Sequence, residues 1–166
     1  MTHSFEEYVA ARWSRLVRSA VLMGADRHAA EDLVQTALAK CFASWSRVSR
    51  AQDPDAYVHR VLINTLTDSR RRRWWGETPT EVLPEASQVD GTEDVLRGDA
   101  LRAALLRLPL EQRQVLVLRY YADLTEAQIA AALGVAAGTV KSRAARGLAV
   151  LEADPSLGEL VNGGGR

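Results

Sequence analysis

Basic and small side chains share one side of the last helical segment of the sequence. Apolar residues recur there at helical spacing and form one face, made of Val140, Ala144, Leu148 and Leu151. The remaining positions carry the residues that could bind a polyanion: Thr139, Lys141, Ser142, Arg143 and Arg146. Arginine and lysine reach phosphates and guanine edges, while small neighbours allow a helix to enter the major groove of DNA. The pattern predicts a DNA-recognition helix, although a solvated basic face on an ordinary helical hairpin has the same composition.

A second basic cluster closes an earlier helix with arginines and tryptophans: Arg70, Arg71, Arg72, Arg73, Trp74 and Trp75. Guanidinium groups contact phosphates and indole rings stack on unpaired bases, each stack contributing about 1 to 3 kcal/mol. The cluster therefore indicates binding to single-stranded nucleic acid. Upstream, Arg60, Asn64, Asp68 and Arg71 lie on one polar stripe of the same helix. The alternatives are a basic helix end that suits the helix dipole, tryptophans packed on the core, and structural roles for Asn64 and Asp68.

The polar face of the second helix is acidic, with Glu31, Asp32, Gln35 and Thr36 beside a long apolar stripe. On its own this face predicts only contact with solvent. Cys41, the single cysteine, is expected to be a buried small apolar side chain, because it cannot form an internal disulfide. No metal-ligand spacing, glycine-rich phosphate loop or acid/base pair is visible in the sequence. No metal, no cofactor and no enzymatic activity are therefore expected.

Charge is balanced over the whole chain but uneven along it. The 166 residues carry 21 basic and 21 acidic side chains, whereas residues 1–75 hold twelve basic against eight acidic ones. Phosphate contacts respond to local potential, so a net charge of zero does not exclude a nucleic-acid partner. The N-terminus lacks the basic start of a signal peptide, and no segment approaches eighteen uninterrupted apolar residues. A cytoplasmic protein without a membrane partner is expected.

Helix start signals divide the first part of the chain into three helices. A capping box at Ser4 and Glu7 begins the first, and a glycine at position 24 ends it. Asp26 caps the second, whose apolar positions continue over four turns. After a polar stretch over residues 46–52, an Asp-Pro pair opens a third helix that runs to about residue 72.

The apolar periodicity disappears after residue 76, where prolines interrupt the chain and residues 76–97 hold one basic against six acidic side chains. This composition indicates an acidic, flexible linker that keeps two domains apart. Some twenty residues span at most roughly 70 Å at about 3.3 to 3.6 Å per residue. The predicted segments are a first domain over 1–75, the linker over 76–94, a second domain over 95–153 and a disordered tail over 154–166.

The second domain begins with one apolar stripe made of Leu101, Leu105 and Leu108, and a proline at position 109 opens the next helix. Thr125 and Gln128 then form another capping box, a glycine ends that short helix, and the recognition helix follows over about 137–151. Two helices joined by a tight glycine turn are a helix-turn-helix. No strand-like alternation is visible, so the fold class is all-α, with two small helical domains.

Three stretches in this order carry a family resemblance: AEDLVQTALAKCFASW, DAYVHRVLINTLTDSRRRR and LRLPLEQRQVLVLRYYADLTEAQIAAALGVAAGTVKSRAARGLAVL. They resemble the extracytoplasmic-function group of the sigma-70 family of RNA polymerase sigma factors, within it most closely the small actinobacterial SigE-like subfamily. The similarity covers nearly the whole chain and is weakest in the linker. It implies a protein that binds core RNA polymerase and directs it to particular promoters.

The resemblance also implies roles for individual residues. The polymerase-binding residues would be Glu31, Asp32, Leu33 and Gln35, which would dock on the clamp helices of the beta-prime subunit. The minus-ten element would be captured and melted by residues 46–55 together with Arg60, Asn64, Asp68, Arg70, Arg71, Arg72 and Arg73. The minus-thirty-five element would be read by Thr139, Lys141, Ser142, Arg143 and Arg146. The helix from Arg113 to Tyr121 would support this reading and meet the flap of the beta subunit.

The resemblance implies core RNA polymerase and promoter DNA as partners and leaves an anti-sigma factor open as a third. An autonomous helix-turn-helix regulator, with the first domain as a dimerisation module, is the alternative function. Such a regulator would bind DNA tightly by itself. One departure from a good helix start stands before the recognition helix, where Ala136 and Ala137 occupy positions that favour a capping side chain.

Overall fold

A computed structural model describes residues 4–74 and 93–157. Its elements are α1 (Phe5–Leu22), α2 (Arg27–Ala43), α3 (Trp45–Val48), α4 (Pro54–Trp74), α5 (Glu93–Leu106), α6 (Leu110–Leu116), a π-helical turn (Val117–Tyr121), α7 (Glu126–Leu133) and α8 (Ala137–Glu152). Neither described range contains a strand, so the all-α prediction is confirmed. Trp75, nearly all of the predicted linker and residues 158–166 lie outside the described residues, as do the side chains of Arg73 and Trp74.

The first two helices start where the sequence predicts. Ser4 accepts a hydrogen bond from the Glu7 N–H while the Glu7 carboxylate accepts one from the Ser4 N–H, which completes the capping box of α1. The Asp26 carboxylate accepts the Ala29 N–H at 2.8 Å and caps α2. Between them Gly24 has φ +114°, a conformation that side chains disfavour, so the tight turn from α1 to α2 requires glycine here.

The N-terminal region packs α1 and α4 against α2. Leu16, Val34 and Leu62 are fully buried where the three helices meet. Cys41 is 1% exposed, which confirms its prediction as a buried small side chain. The polar stretch before α4 was not predicted to contain a helix, yet the short helix α3 forms there and its Val48 is fully buried.

In the C-terminal region α8 packs against α6 and α7. The capping box of Thr125 and Gln128 starts α7, and Gly134 ends it in a left-handed conformation with φ +68°. These features confirm the predicted helix-turn-helix. Gly147 allows α8 to approach α6 closely, since a Cβ atom there would lie 2.8 Å from a methyl carbon of Leu116. The π-helical turn was not predicted; its wider register joins the Ala122 N–H to the Val117 carbonyl at 3.0 Å.

The two regions lie in direct contact, so the prediction that the linker keeps them apart is wrong. α4 packs on α7, while α1 packs on α5 and on the π-helical turn. Leu16 of the N-terminal region and Leu118 and Ile129 of the C-terminal region belong to one continuous apolar core. The physical reason is that apolar side chains of the two regions are buried against one another.

Two smaller expectations also differ from the structure. Leu101 was placed on the buried stripe of α5, but it is 37% exposed while Leu105 and Leu108 are buried. Disorder was expected from residue 154 onward, yet Asp154 pairs with Arg107 and Leu157 is buried. The chain is therefore ordered through residue 157, because an ion pair and an apolar contact hold this last turn on the C-terminal region.

Candidate functional site

The basic face of α8 has the arrangement that its sequence predicts. Val140, Ala144 and Gly147 are buried against the rest of the region, which fixes the helix orientation. The side chains on the other side are exposed at Lys141, Ser142 and Arg146 and half-buried at Thr139 and Arg143. These five residues form what is called here the α8 surface. It presents three cations from a helix that the core holds rigidly.

Two acidic residues neighbour the α8 surface without neutralising it. Lys141 Nζ lies 3.8 Å from a carboxylate oxygen of Glu126, and Arg143 lies 3.7 Å from one of Glu111. Ion pairs of this length at an exposed surface contribute between about 0 and 1 kcal/mol. These pairs therefore hold Lys141 and Arg143 only weakly.

The start of α8 is open to an anion. Ala136 is the N-cap residue and offers no side-chain hydrogen bond, as the sequence indicates. The first N–H groups of a helix together carry roughly half a positive charge and bind phosphates well. The small residues at this end leave room for such a contact. This helix start therefore extends the α8 surface.

The polar stripe of α4 is also confirmed as a single face. Arg60, Asn64, Asp68 and Arg71 are exposed, and they form what is called here the α4 surface. On the opposite face Val58, Leu62 and Leu66 are buried against the core. The stripe therefore points away from the protein.

Arg70 and Arg72, two arginines of the run that ends α4, lie in different surroundings. Arg70 is exposed along part of its length, but its guanidinium turns toward the turn after α1 and lies 3.4 Å from the Met23 carbonyl. Arg72 is exposed. The backbone of Arg73 and Trp74 continues α4, and the predictions for their side chains and for Trp75 concern parts outside the description.

The acidic face of α2 is exposed and lightly paired. Glu31 lies 3.6 Å from Arg27, and Asp32 lies 3.8 Å from the imidazole of His28. Gln35 is exposed on the next turn. Leu33, which the family resemblance grouped with these residues, is only 9% exposed. Its side chain belongs to the core, so the surface of α2 consists of Glu31, Asp32 and Gln35.

An aromatic cluster at the end of α2 went unnoticed in the sequence. The rings of Phe5 and Phe42 are 4.9 Å apart, and Trp45 lies 5.4 Å from Phe5 and 5.2 Å from Tyr8. Phe42 continues the apolar spacing of α2, but it is 60% exposed. The signal was present, because Phe5 and Tyr8 lie in the first turns of α1 while Phe42 and Trp45 lie at the end of α2 and the start of α3. The cluster gives this end of the region an apolar surface.

Buried ionisable groups lie between the two regions rather than on either basic surface. A cavity of about 180 Å³ has charged residues in its lining, among them Arg12, Arg15, Asp55 and Asp123. His59 is buried beside it and its Nδ1 lies 2.8 Å from the Asp55 carbonyl. Burial lowers the pKa of His59. Tyr8 donates to the Asp55 carboxylate at 2.8 Å, and burial together with this bond raises the pKa of Tyr8.

None of these groups forms a recognisable catalytic arrangement. Burial raises the pKa of the Cys41 thiol to about 11, so it is not a nucleophile at neutral pH. In the described ranges no three histidine, cysteine, aspartate or glutamate side chains come together as a metal site would require.

Arg113 is the most buried cation of the described chain and does not reach the surface. It is 7% exposed and donates to the carbonyls of Leu105, Leu106, Leu108 and Met23 at 2.9 to 3.2 Å. Burial lowers the pKa of Arg113, and the neighbouring Arg70 adds to this effect. Because all four of these hydrogen bonds are made within the protein, Arg113 stabilises the fold and cannot itself contact a partner.

Comparisons with known proteins match both regions. Residues 9–76 match the family described as Sigma-70 region 2, and residues 98–151 match Sigma-70, region 4. The chain is similar to the RNA polymerase sigma-E factor of Streptomyces coelicolor, with 44% identity over 147 residues that cover 89% of this chain and 83% of that protein. It is 33% identical to the ECF RNA polymerase sigma factor SigL of Mycobacterium tuberculosis, covering 84% and 79% respectively.

Two solved structures share the fold. One is the sigma factor RpoE in complex with the anti-sigma factor NepR from Bartonella quintana, with a TM-score of 0.71 and 24% identity, covering 89% of this chain and 94% of that one. The other is CnrH in complex with the cytosolic domain of CnrY, with a TM-score of 0.61 and 21% identity, covering 97% and 89%. Among the helices described above, none has the length and apolar character needed to cross a membrane.

Proposed function

Because the chain belongs to the extracytoplasmic-function group of the sigma-70 family of RNA polymerase sigma factors, we propose that its two regions divide the tasks of transcription initiation. The protein is a sigma factor that binds core RNA polymerase and directs initiation at particular promoters. Residues 1–75 bind the polymerase and open the promoter, and residues 95–153 read duplex DNA. This division of tasks is supported by one observation: each region has an outward polar surface, at α4 in the first and at α8 in the second.

The α8 surface reads the minus-thirty-five element. Arg143, Lys141 and Arg146 supply donors for guanine edges and phosphates, and Thr139 and Ser142 are short enough to let the helix enter the major groove. The uncapped start of α8 adds backbone donors for one phosphate. Support comes from the rigid seating of α8, since Val140 is fully buried. The preceding segment from Arg113 to Tyr121 holds α8 in place, and exposed Tyr120 offers a contact for the beta flap.

The α4 surface captures the minus-ten element. Arg60 and Arg71 bind phosphates, and Asn64 and Asp68 lie between them as candidates for hydrogen bonds to exposed bases. Exposed Arg72 lies beside this stripe. Arg70 contributes by helping to hold α4 in position, because its guanidinium lies toward the Met23 carbonyl.

The α2 surface docks on the clamp helices of the polymerase beta-prime subunit. Glu31, Asp32 and Gln35 are accessible there, and their present partners are weak surface ion pairs. Leu33 supports the helix from within the core. Exposed Phe42 extends this surface with apolar area, a combination that suits a protein interface.

Three further properties follow from this function. The protein has no catalytic activity of its own, since the chemistry of RNA synthesis belongs to the polymerase. It acts in the cytoplasm, where the polymerase and the chromosome are. An anti-sigma factor is a further partner, which the two solved relatives in complex with such proteins support by analogy.

A polymerase pull-down followed by transcription in vitro tests the proposal. We expect the purified protein to bind core polymerase at moderate salt and to make it start at specific sites. Asp32→Ala and Gln35→Ala should weaken polymerase binding with the helical content unchanged, whereas Arg146→Ala should weaken promoter recognition only. Equal loss of both activities in all three variants would contradict the division of tasks.

The alternative function, an autonomous helix-turn-helix regulator, makes a different prediction for DNA binding in the absence of polymerase. A gel shift with promoter DNA and no polymerase should show weak binding for a sigma factor. Tight, specific binding by the protein alone would favour the regulator instead.

A further inference from the structure

Lys40 is an exposed cation near the end of α2, outside the α2, α4 and α8 surfaces described above. Its ammonium group turns toward α4, where Nζ donates a hydrogen bond to Thr65 Oγ1 at 3.2 Å. We propose that Lys40 is a further phosphate-binding residue for the single strand captured by the α4 surface, and that Thr65 positions its ammonium group. The inference rests on the proposed assignment of the α4 surface to the minus-ten element.

Thr65 is itself held in one orientation. It is 5% exposed, and its hydroxyl donates to the Val61 carbonyl at 2.8 Å. A hydroxyl group has a single proton, so the Thr65 oxygen can only accept the second hydrogen bond, the one from Lys40. An ammonium group has three donors, and this bond uses one of them. Two donors of Lys40 are therefore left for phosphate oxygens.

The charge of Lys40 is not neutralised by an ion pair. Within the residues that the structure describes, the hydrogen bond to Thr65 is the one polar contact of the Lys40 side chain, and no carboxylate pairs with it. Arg27 at the start of the same helix differs, because it lies 3.6 Å from a carboxylate oxygen of Glu31. A cation without such a partner attracts an anion without first losing a contact to a carboxylate. Lys40 is therefore available to a phosphate group.

Helix geometry places the ammonium group at the edge of the α4 surface. Residues three positions apart on a helix are neighbours, with Cβ atoms about 5 to 6 Å apart, so Thr65 lies beside Asp68. Arg71 is three positions beyond Asp68 and lies on its other side. Lys40, held at Thr65, and Arg71 thus flank the one carboxylate of the α4 surface. A carboxylate repels the phosphates of an approaching strand, and a cation on each side offsets that repulsion.

The charge around Lys40 favours a nucleic-acid strand over the polymerase as its partner. The α2 surface, which is proposed to dock on the polymerase, carries two carboxylates and no cation. Lys40 lies on the side of α2 that packs against α4, as its hydrogen bond to Thr65 shows. It therefore adds its charge to Arg60 and Arg71 of the α4 surface. Attraction of a polyanion depends on the local positive potential, which these three cations raise together.

The salt dependence of single-strand binding tests the proposal in the full-length protein. The probe is a labelled oligothymidylate, and fluorescence anisotropy gives its dissociation constant at several salt concentrations. Each phosphate contact on a single strand contributes about 0.7 to the slope of log affinity against log salt concentration. We expect Lys40→Met, which keeps the apolar stem, to make the slope shallower by about 0.7 and to weaken binding about fivefold at low salt. Lys40→Arg keeps the charge and should retain both values.

Two sets of variants separate the position of the charge from its presence. Arg27→Met is the matched control, because it removes one charge from the same helix about 20 Å away along the axis. It should leave the slope unchanged, and an equal change in Arg27→Met and Lys40→Met would overturn the proposal. Thr65→Val keeps the shape but loses the acceptor, so it should weaken binding about twofold with the slope unchanged. Thr65→Ser keeps the hydroxyl and should bind the probe as the starting protein does.

Arg71→Met distinguishes failure of this inference from failure of the proposed function. If Arg71→Met makes the slope shallower and Lys40→Met does not, Lys40 binds no phosphate and only this inference fails. If neither variant changes the slope, the proposed role of the α4 surface fails with it. A pull-down with core polymerase completes the test, and we expect Lys40→Met to bind the polymerase as the starting protein does. Loss of that binding with an unchanged slope would assign Lys40 to the polymerase contact and overturn the proposal.

Discussion

At the scale of single residues, Arg113 shows how a buried charge is accommodated without a carboxylate at hydrogen-bonding distance. Its acceptors are carbonyls near the C-terminal ends of α5 and α1. Helix C-termini carry about half a negative charge, so two of them face one guanidinium. Gly24 completes the site, because a Cβ atom there would lie 2.7 Å from Arg113 Nη1. Glycine is therefore required at position 24 for two reasons. Its φ angle is positive, and a side chain there would enter the space that the arginine occupies.

Replacing Arg113 by lysine should therefore destabilise the protein while keeping the charge. A lysine ammonium cannot reach four carbonyls spread over two helix ends, so some are left without a donor. We expect the free energy of unfolding to fall by about 2 to 3 kcal/mol. Urea titration followed by circular dichroism measures this change. Arg119→Lys, at an exposed position of the π-helical turn, is the control and should change the value by less than about 0.5 kcal/mol. A similar loss in both variants would show that the network around Arg113 is unimportant.

His59 should make stability depend on pH. Burial lowers its pKa in the folded protein below the ordinary 6.5, and the nearby Arg15 acts in the same direction while Asp53 and Asp55 oppose it. Below pH 6.5 the unfolded chain then binds a proton that the folded chain does not, so stability falls as pH falls. We expect a loss of about 1 kcal/mol between pH 7.5 and 5.5, measured by urea titration. His59→Gln should flatten this slope, and the exposed His28→Gln should not. If His59→Gln left the pH dependence of stability unchanged, that dependence would come from other titratable groups.

At the scale of elements, the sequence predicted the helices through their ends. Ser4 and Thr125 start their helices with capping boxes as expected, and Gly134 ends α7 with the left-handed backbone that its position predicts. These signals are local, because a cap depends on residues three or four positions apart. The polar stripe of α4 and the basic face of α8 were predictable for the same reason.

Elements that depend on distant contacts were not predictable in this way. α3 forms because Val48 is buried, and a single apolar residue in a polar stretch carries no period. The π-helical turn inserts one residue into a helix whose sequence pattern is continuous. Phe42 follows the apolar period of α2 but lies at its end, where neighbouring rings cover it only in part.

The uncapped start of α8 gives a prediction at this scale. Ala136 has the extended backbone of an N-cap residue, with φ −71° and ψ 152°, but no oxygen to offer. Ala136→Ser should add a hydrogen bond to the first turn and stabilise the protein by about 0.5 to 2 kcal/mol. Thermal unfolding measures the gain. Ala145→Ser, exposed in the middle of α8, is the control and should give no gain. Equal effects at both positions would show that the helix start is already satisfied.

At the scale of the whole molecule, the sequence identified two regions but not their contact. Periodicity shows which face of a helix is apolar, and it does not show which helix covers that face. The acidic residues of 76–94 indicated separation, whereas the described structure joins Leu16 to Leu118 and Ile129 in one core. The same limit applies to Leu33 and Arg70. The family resemblance implied a binding role for Leu33 and the residue type suggested one for Arg70, but packing directs the first side chain inward and the second toward a turn.

The continuous core predicts that the two regions unfold together. All four tryptophans lie within the first 75 residues, so tryptophan fluorescence reports on the N-terminal region alone. Far-ultraviolet circular dichroism reports on the helices of both regions. In urea the two signals should change with coincident midpoints, because loss of α4 exposes the apolar face of α7. Arg15 donates to the Tyr121 carbonyl and to the Asp123 carboxylate, and Gln128 donates to the Asp53 carboxylate, so the Arg15→Met/Gln128→Glu variant loses polar contacts between the regions. In that variant the midpoints should separate, since the regions then share less of their stability. Separate midpoints in the unaltered protein would mean that the core is not shared, and the contact between α4 and α7 would then contribute nothing measurable to stability.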